Sequence, residues 1–123
     1  MVDIQKLPKV ELHVHLDGSV RPSTISELSD ISLNFVESRM RVDDDCKSLN
    51  EYLEKFELPL NYMQLKDNLT RITRELVDDL ISDNVVYAEI RFAPILHTRE
   101  GLMMDEVVDA VIEGLDSSDI TCN

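Results

Sequence analysis

At 123 residues the chain is long enough for one ordinary domain with a real core. It carries 25 Asp and Glu against 12 Lys and Arg, a formal charge of −13, which argues against nucleic acid and anionic membranes as partners, since both need a basic surface. Cys46 and Cys122 stand far apart without a CxxC spacing, so neither a disulfide framework nor a zinc ribbon is expected and a reducing cytoplasm is the default. The opening MVDIQKLPKV has no apolar signal core, and no run approaches about 18 apolar residues, so neither secretion nor membrane spanning is expected.

The first element is a strand. Val10, Leu12, Val14 and Leu16 alternate with Glu11, His13 and His15, a period of two that sends His13, His15 and Asp17 to one face. Side chains two apart on a strand sit about 6.5–7 Å apart at Cα, close enough for two imidazoles to converge on one ion about 2.0–2.1 Å from each nitrogen. A bare HxH pair is a weak signal, more often a polar strand face with two solvated or hydrogen-bonded histidines.

Arg21-Pro22 opens a helix with proline in its first turn, where a missing N–H costs least, and Ile25, Leu28 and Ile31 recur along it. Residues 34–42 form a further short helical piece. The three acids Asp43–Asp45 lack the glycine and later glutamate of a calcium loop and read as a solvated turn. Ser48, with Glu51 three residues on, has the form of a capping box before Leu49, Tyr52, Leu53 and Phe56, and Pro59 ends or kinks that helix. A longer helix follows with Leu65, Leu69, Ile72, Leu76 and Leu80 as its apolar stripe, closed by Asp83-Asn84.

The second strand spans Val85–Phe92. Val86, Ala88, Ile90 and Phe92 share one face, and Val85, Tyr87, Glu89 and Arg91 the other. Pro94 stops the strand, and His97 beyond it reads as a surface histidine. Asp105 caps or begins a last helix whose buried stripe is Val108, Val111, Ile112 and Leu115, and Asp119–Asn123 reads as the start of a third strand. Strand, helices, strand, helix, strand implies a parallel α/β sheet with crossover connections. In a closed parallel barrel the apolar strand faces meet the helices and the other faces point inward, so Glu11, Glu89 and Arg91 would need one another, Arg91 pairing with a carboxylate. His13, His15 and Asp17 fall at the C-terminal end of the first strand, where such barrels place their sites.

Three stretches in series carry a resemblance: LPKVELHVHLDGSVRPSTI, SLNEYLEKF and NVVYAEIRFAPILHTREGLMMDEVVDAV. Together they resemble the opening of the adenosine deaminase family of the amidohydrolase superfamily, from Leu7 to about Leu115. The resemblance implies an α/β fold, an incomplete TIM barrel holding the first two strands with their helices and the start of a third. Residues 1–123 are then the N-terminal part of one barrel domain, since about 250 residues make a whole one. It also implies hydrolytic deamination of adenosine to inosine and ammonia by a single zinc ion that lowers the pKa of a bound water.

On the matching positions His13 and His15 are two zinc ligands, His15 lies close to the substrate, and Asp17 hydrogen-bonds the ribose. Related adenine deaminases tend to carry Glu at the Asp17 position, so aspartate favours a nucleoside over a free base. Leu49, Tyr52, Leu53 and Phe56 align with an apolar lid over the purine. Spacing alone favours an ordinary amphipathic helix on the barrel rim; the matching sequence brings the two readings level.

The family's third zinc histidine, the glutamate that protonates the purine ring, the second histidine that handles the water's proton and the aspartate completing the zinc site have no counterpart here. No catalytic residue is therefore assigned, zinc is expected to be absent or weakly held, and the polypeptide is expected to be inactive alone. Two alternatives stay open: a non-catalytic oligomerising or binding piece, whose exposed sheet edges pair with a second copy or with a C-terminal portion, and a deaminase of adenine or a modified purine nucleoside.

Overall fold

Lys9–His15 (β1) and Val85–Arg91 (β2) lie parallel and adjacent in the computed structural model, which describes residues 1–117 and 119–123. Thr121–Cys122 (β3) adds to the far side of β2, again parallel, giving the order β1-β2-β3. Parallel neighbours need crossovers. Between β1 and β2 run helices α1 (Pro22–Ser29), α2 (Leu33–Met40), α3 (Leu49–Leu53), α4 (Glu57–Asn61) and α5 (Lys66–Ser82), and between β2 and β3 runs α6 (Met104–Leu115).

The helices begin and end for local reasons. Pro22 occupies the first turn of α1, and Asp30 closes it in the left-handed region at φ 61°. Ile31 thus lies beyond the helix and still packs on the core from the following loop. Ser32 and Ser48 cap α2 and α3 by accepting from the Phe35 and Glu51 amides. The capping box at Ser48 is skewed, because the Glu51 carboxylate takes the Lys47 amide instead of that of Ser48. Pro59 does not end the helical run: a 3₁₀ turn over Glu54–Phe56 breaks it first, and Pro59 sits within α4.

The core lies between α1, α5, α6 and the covered face of the sheet. Leu16, Ile25, Leu69, Ile72 and Val107 are its buried centre, with Val77, Val85, Ala88 and Ile120 forming a second cluster. Arg21 fastens the start of α1 to α5 through both Asp79 oxygens and Glu75, with Thr24 donating to the Glu75 carboxylate. These charges are partly exposed, so each pair contributes no more than about 1 kcal/mol. On α6 the buried stripe is Val107, Ala110, Val111 and Gly114, while Ile112 is 57% exposed. The expected stripe is off because α6 presents its smallest residues to α5, and the Thr70 hydroxyl donates to the Ala110 carbonyl across the contact.

The strand faces depart from plain alternation at two irregularities. Lys9 pairs with Val85, but Val10 pairs with Tyr87, so β2 holds one extra residue there. The pleat shifts phase, which buries Val85 and exposes Val86, the reverse of the expectation. Beyond it Ala88, Ile90 and Phe92 do pack inward, and the Tyr87 hydroxyl donates to Glu89 on the other face. β1 in turn holds an extra residue between Glu11 and Val14. Val10 and Leu12 remain 56% and 58% exposed on the apolar face of β1.

Among the described residues no carboxylate pairs with Arg91. It is exposed, and its guanidinium donates to the Leu12 carbonyl at the β1 irregularity, 3.3 Å away. Glu11 is exposed as well. Glu11 and Arg91 thus reach solvent, and half-buried Glu89 takes its hydrogen bond from the Tyr87 hydroxyl in place of an arginine. No helix among the described residues is long and apolar enough to cross a membrane.

Candidate functional site

The C-terminal end of β1 and the turn after it open into a cleft of about 850 Å³, within the usual range of about 300–1,000 Å³ for small-molecule sites. Glu11, His13, His15, Asp17 and Gly18 form one wall; Tyr52, Leu53, Lys55 and Phe56 form another, and Leu96 and Arg99 approach from the turn after β2. The turn after β1 is pinned where it leaves the sheet. The Leu16 amide donates to the Arg91 carbonyl, and the Ser19 hydroxyl donates to the His15 carbonyl at 2.7 Å.

His13 and His15 project to the same side, their ring centroids 4.8 Å apart. Their Nε2 atoms are 2.9 Å apart. Two nitrogens at that separation can share one ion at about 2.0–2.1 Å from each, with roughly a right angle between the bonds. Desolvation, then the charge of Arg91, then that of His15 hold the His13 imidazolium below its usual pKa. The neutral ring is the form that ligates metal. No group of three or more His, Cys, Asp and Glu among the described residues could hold an ion. The two imidazoles therefore fit as part of a metal site and do not complete one.

Of the four apolar residues expected as a lid, Tyr52, Leu53 and Phe56 line the cleft, and Leu49 is exposed outside that lining. Tyr52 and Phe56 meet edge to face at 5.5 Å. Phe56 lies over Gly18 so closely that a Cβ there would stand 3.2 Å from its ring, and a side chain at that point would require the ring to give by a few tenths of an ångström.

His97 is not on the surface. It is 1% exposed, and its Nδ1–H donates to the Met63 carbonyl at 2.9 Å. Burial pushes its pKa down, against the raising effects of the Met63 bond and Asp17. Beside it, buried Gln64 donates to the Leu60 and Leu96 carbonyls and accepts from the Arg99 amide. This polar clasp ties the turn after β2 to the junction of α4 and α5, and so sets where Leu96 and Arg99 meet the cleft. Sequence reasoning missed it: Gln64 is followed by Leu65, Lys66 and Asp67 and His97 by Thr98 and Arg99, so neither residue is marked as buried by its neighbours.

The family profile described as adenosine deaminase matches residues 8–123. The chain belongs to the adenosine deaminase family. An adenosine deaminase of Clostridium botulinum is 45% identical over 122 residues, covering 93% of this chain and 37% of its own. The solved N6-methyl-AMP deaminase of Arabidopsis is 36% identical with a TM-score of 0.68, covering 91% of this chain and 35% of its own. An amidohydrolase from Burkholderia ambifaria, solved with bound zinc, is similar in fold, with a TM-score of 0.78 at 24% identity over 98% of this chain and 35% of its own. The chain thus spans little more than a third of the length of these relatives. The three parallel strands of the described residues and their crossovers are, in fold, an incomplete TIM barrel.

Proposed function

We propose that these residues build the N-terminal part of the single barrel domain of a zinc-dependent enzyme that deaminates adenosine to inosine and ammonia. The observation that carries this reading is the convergence of the His13 and His15 Nε2 atoms, 2.9 Å apart, on a cleft shared with Asp17 and the Tyr52–Phe56 wall.

When bound, zinc supplies an activated water at neutral pH. His13 and His15 present neutral imidazole nitrogens to the ion, and His15 also borders the purine. The Asp17 carboxylate accepts a hydrogen bond from a ribose hydroxyl. Leu53 and Phe56, with the Tyr52 ring beside them, cover the apolar purine and exclude water, which strengthens electrostatics inside the cleft.

The polypeptide supplies two imidazoles where a catalytic zinc takes three protein ligands, so by itself it binds zinc weakly and does not turn over adenosine. The likeness to the Clostridium botulinum adenosine deaminase supports the nucleoside. A second reading, a modified purine nucleotide, draws on the Arabidopsis N6-methyl-AMP deaminase and on Lys55 and Arg99 at the cleft, where a phosphate would need cations. Arg99 is already paired with Glu57, which favours the nucleoside. Free Cys46 and Cys122 fit a reducing cytoplasm.

The test is an absorbance assay with adenosine, adenine and N6-methyl-AMP. The 123-residue polypeptide alone is expected to give no turnover, and mixing with the C-terminal portion of a family member is expected to restore deamination of adenosine first. Robust activity of the polypeptide alone overturns the requirement for further ligands. A preference for N6-methyl-AMP in the mixture overturns the nucleoside reading.

A further inference from the structure

Gln64 stands between α4 and α5 and is 2% exposed. It lies outside the cleft lining, yet each of its bonds ends on a residue within that lining. Its Nε2 donates to the Leu60 carbonyl at 2.9 Å and to the Leu96 carbonyl at 2.8 Å. Its Oε1 accepts from the Arg99 amide at 2.9 Å. Both hydrogens of the side-chain amide and its oxygen are thus committed. Turning the amide over would set its oxygen against two carbonyls and its NH2 against an N–H, so a single orientation is fixed.

Those three bonds join two walls. Leu60 belongs to α4, which follows directly on the helical run that carries Tyr52, Leu53 and Phe56. Leu96 and Arg99 stand in the turn after β2. The Gln64 amide holds both of them, and the Met63 carbonyl accepts from His97 between them. The Arg99 guanidinium also reaches Glu57 at the start of α4, 3.3 Å away, so the turn meets α4 near both of its ends. The Glu57 pair is exposed and screened by solvent. The Gln64 amide is buried, where a polar group left without its partner is costly. Packing alone would be served by an apolar side chain of similar volume, with nothing polar to desolvate.

We propose that Gln64 is a positioning residue for the cleft: its amide sets the separation between the α4 wall and the turn after β2, and with it the fit around a bound ligand. Glutamine meets this need because one planar group supplies a donor to a carbonyl on each wall and an acceptor to the turn. A carboxylate would keep the bond to the Arg99 amide and turn its second oxygen on the carbonyls. An apolar side chain would make none of the three bonds. The geometry stands without any assignment of substrate; its effect on binding rests on the deaminase reading proposed above.

The test is hydrogen exchange and nuclear magnetic resonance on the 123-residue protein. In the unaltered protein, both Gln64 side-chain hydrogens and the Arg99 amide are expected to exchange slowly. Gln64→Met should remove the protection of Arg99 without loosening α5, and should shift the signals of Leu60, Leu96 and Phe56 together. Gln64→Glu should leave Arg99 protected while the Leu60 and Leu96 carbonyl signals move. Fast exchange of the Gln64 hydrogens in the unaltered protein, or Arg99 protection that survives Gln64→Met, overturns the proposal. The unaltered protein decides the bonds even if a variant does not fold. In the deaminase restored with a C-terminal portion, Gln64→Met is expected to raise KM about tenfold with a smaller change in kcat, as losing contacts made equally to substrate and transition state does. An unchanged KM there overturns the positioning role. If no deamination is restored, the deaminase reading fails by itself; the joint shift of Leu60, Leu96 and Phe56 then supports the wall separation, and its absence overturns it.

Discussion

Gly114 of α6 lies directly against Thr73 of α5: a Cβ at position 114 would stand 2.5 Å from the Thr73 Cβ and 2.8 Å from the Thr70 carbonyl oxygen. In an exposed helix, replacing glycine by alanine stabilises by about 1 kcal/mol. Here the extra methyl has no room, so Gly114→Ala is expected to destabilise by about 1–3 kcal/mol. Urea unfolding read by circular dichroism decides the sign, and a stabilised variant would mean the two helices are farther apart than described.

His97 makes stability depend on pH. Its folded pKa is lowered from 6.5 chiefly by burial, so below that value the unfolded chain binds a proton the folded one resists. Stability should therefore fall as pH drops through 6.5 towards the lower folded value. Unfolding free energies at several pH values should show this slope, and His97→Asn should flatten it. An unchanged slope in the variant would assign the pH dependence to other groups.

Paired imidazoles make a weak ion site. Zinc or cobalt uptake by the 123-residue protein, followed by equilibrium dialysis, is expected to fall at least about tenfold in either His13→Ala or His15→Ala. Cys122→Ser, outside the cleft lining, should leave it unchanged. Uptake that survives both histidine variants would place the ion elsewhere.

Ser48 holds the first turn of the apolar wall by accepting from the Glu51 amide at 3.1 Å. Ser48→Ala removes that cap at a cost of about 0.5–2 kcal/mol. Because α3 is short and contributes no buried residue, the loss should appear as faster amide exchange confined to residues 49–56, with little change in global unfolding.

Those predictions draw unevenly on the sequence. Element order, the shared side of His13 and His15, and the α5 stripe from Leu69 to Leu80 were legible, because each depends on a local period that packing reinforced; Leu65, expected in that stripe, precedes α5 and is exposed. The β2 faces failed at Val85 and Val86, since an extra residue in the ladder depends on the partner strand's register. The apolar character of Ile112 points to the core, whereas the α5 contact selects Ala110 and Gly114 for size. Arg91 was paired on the assumption of a closed interior, and the face it occupies is open to solvent. The Gln64–His97 clasp joins residues more than thirty positions apart, and nothing in either neighbourhood announces the other.

Among the described residues β1 is bonded along one margin, to β2, and it is the strand that bears both imidazoles. A further parallel strand seated on the free margin would restrain the same backbone that sets the spread between His13 and His15. Ion affinity and strand addition are then thermodynamically linked, and each must favour the other by the same factor. Assembly of the cylinder and loading of its metal would be two readouts of one equilibrium.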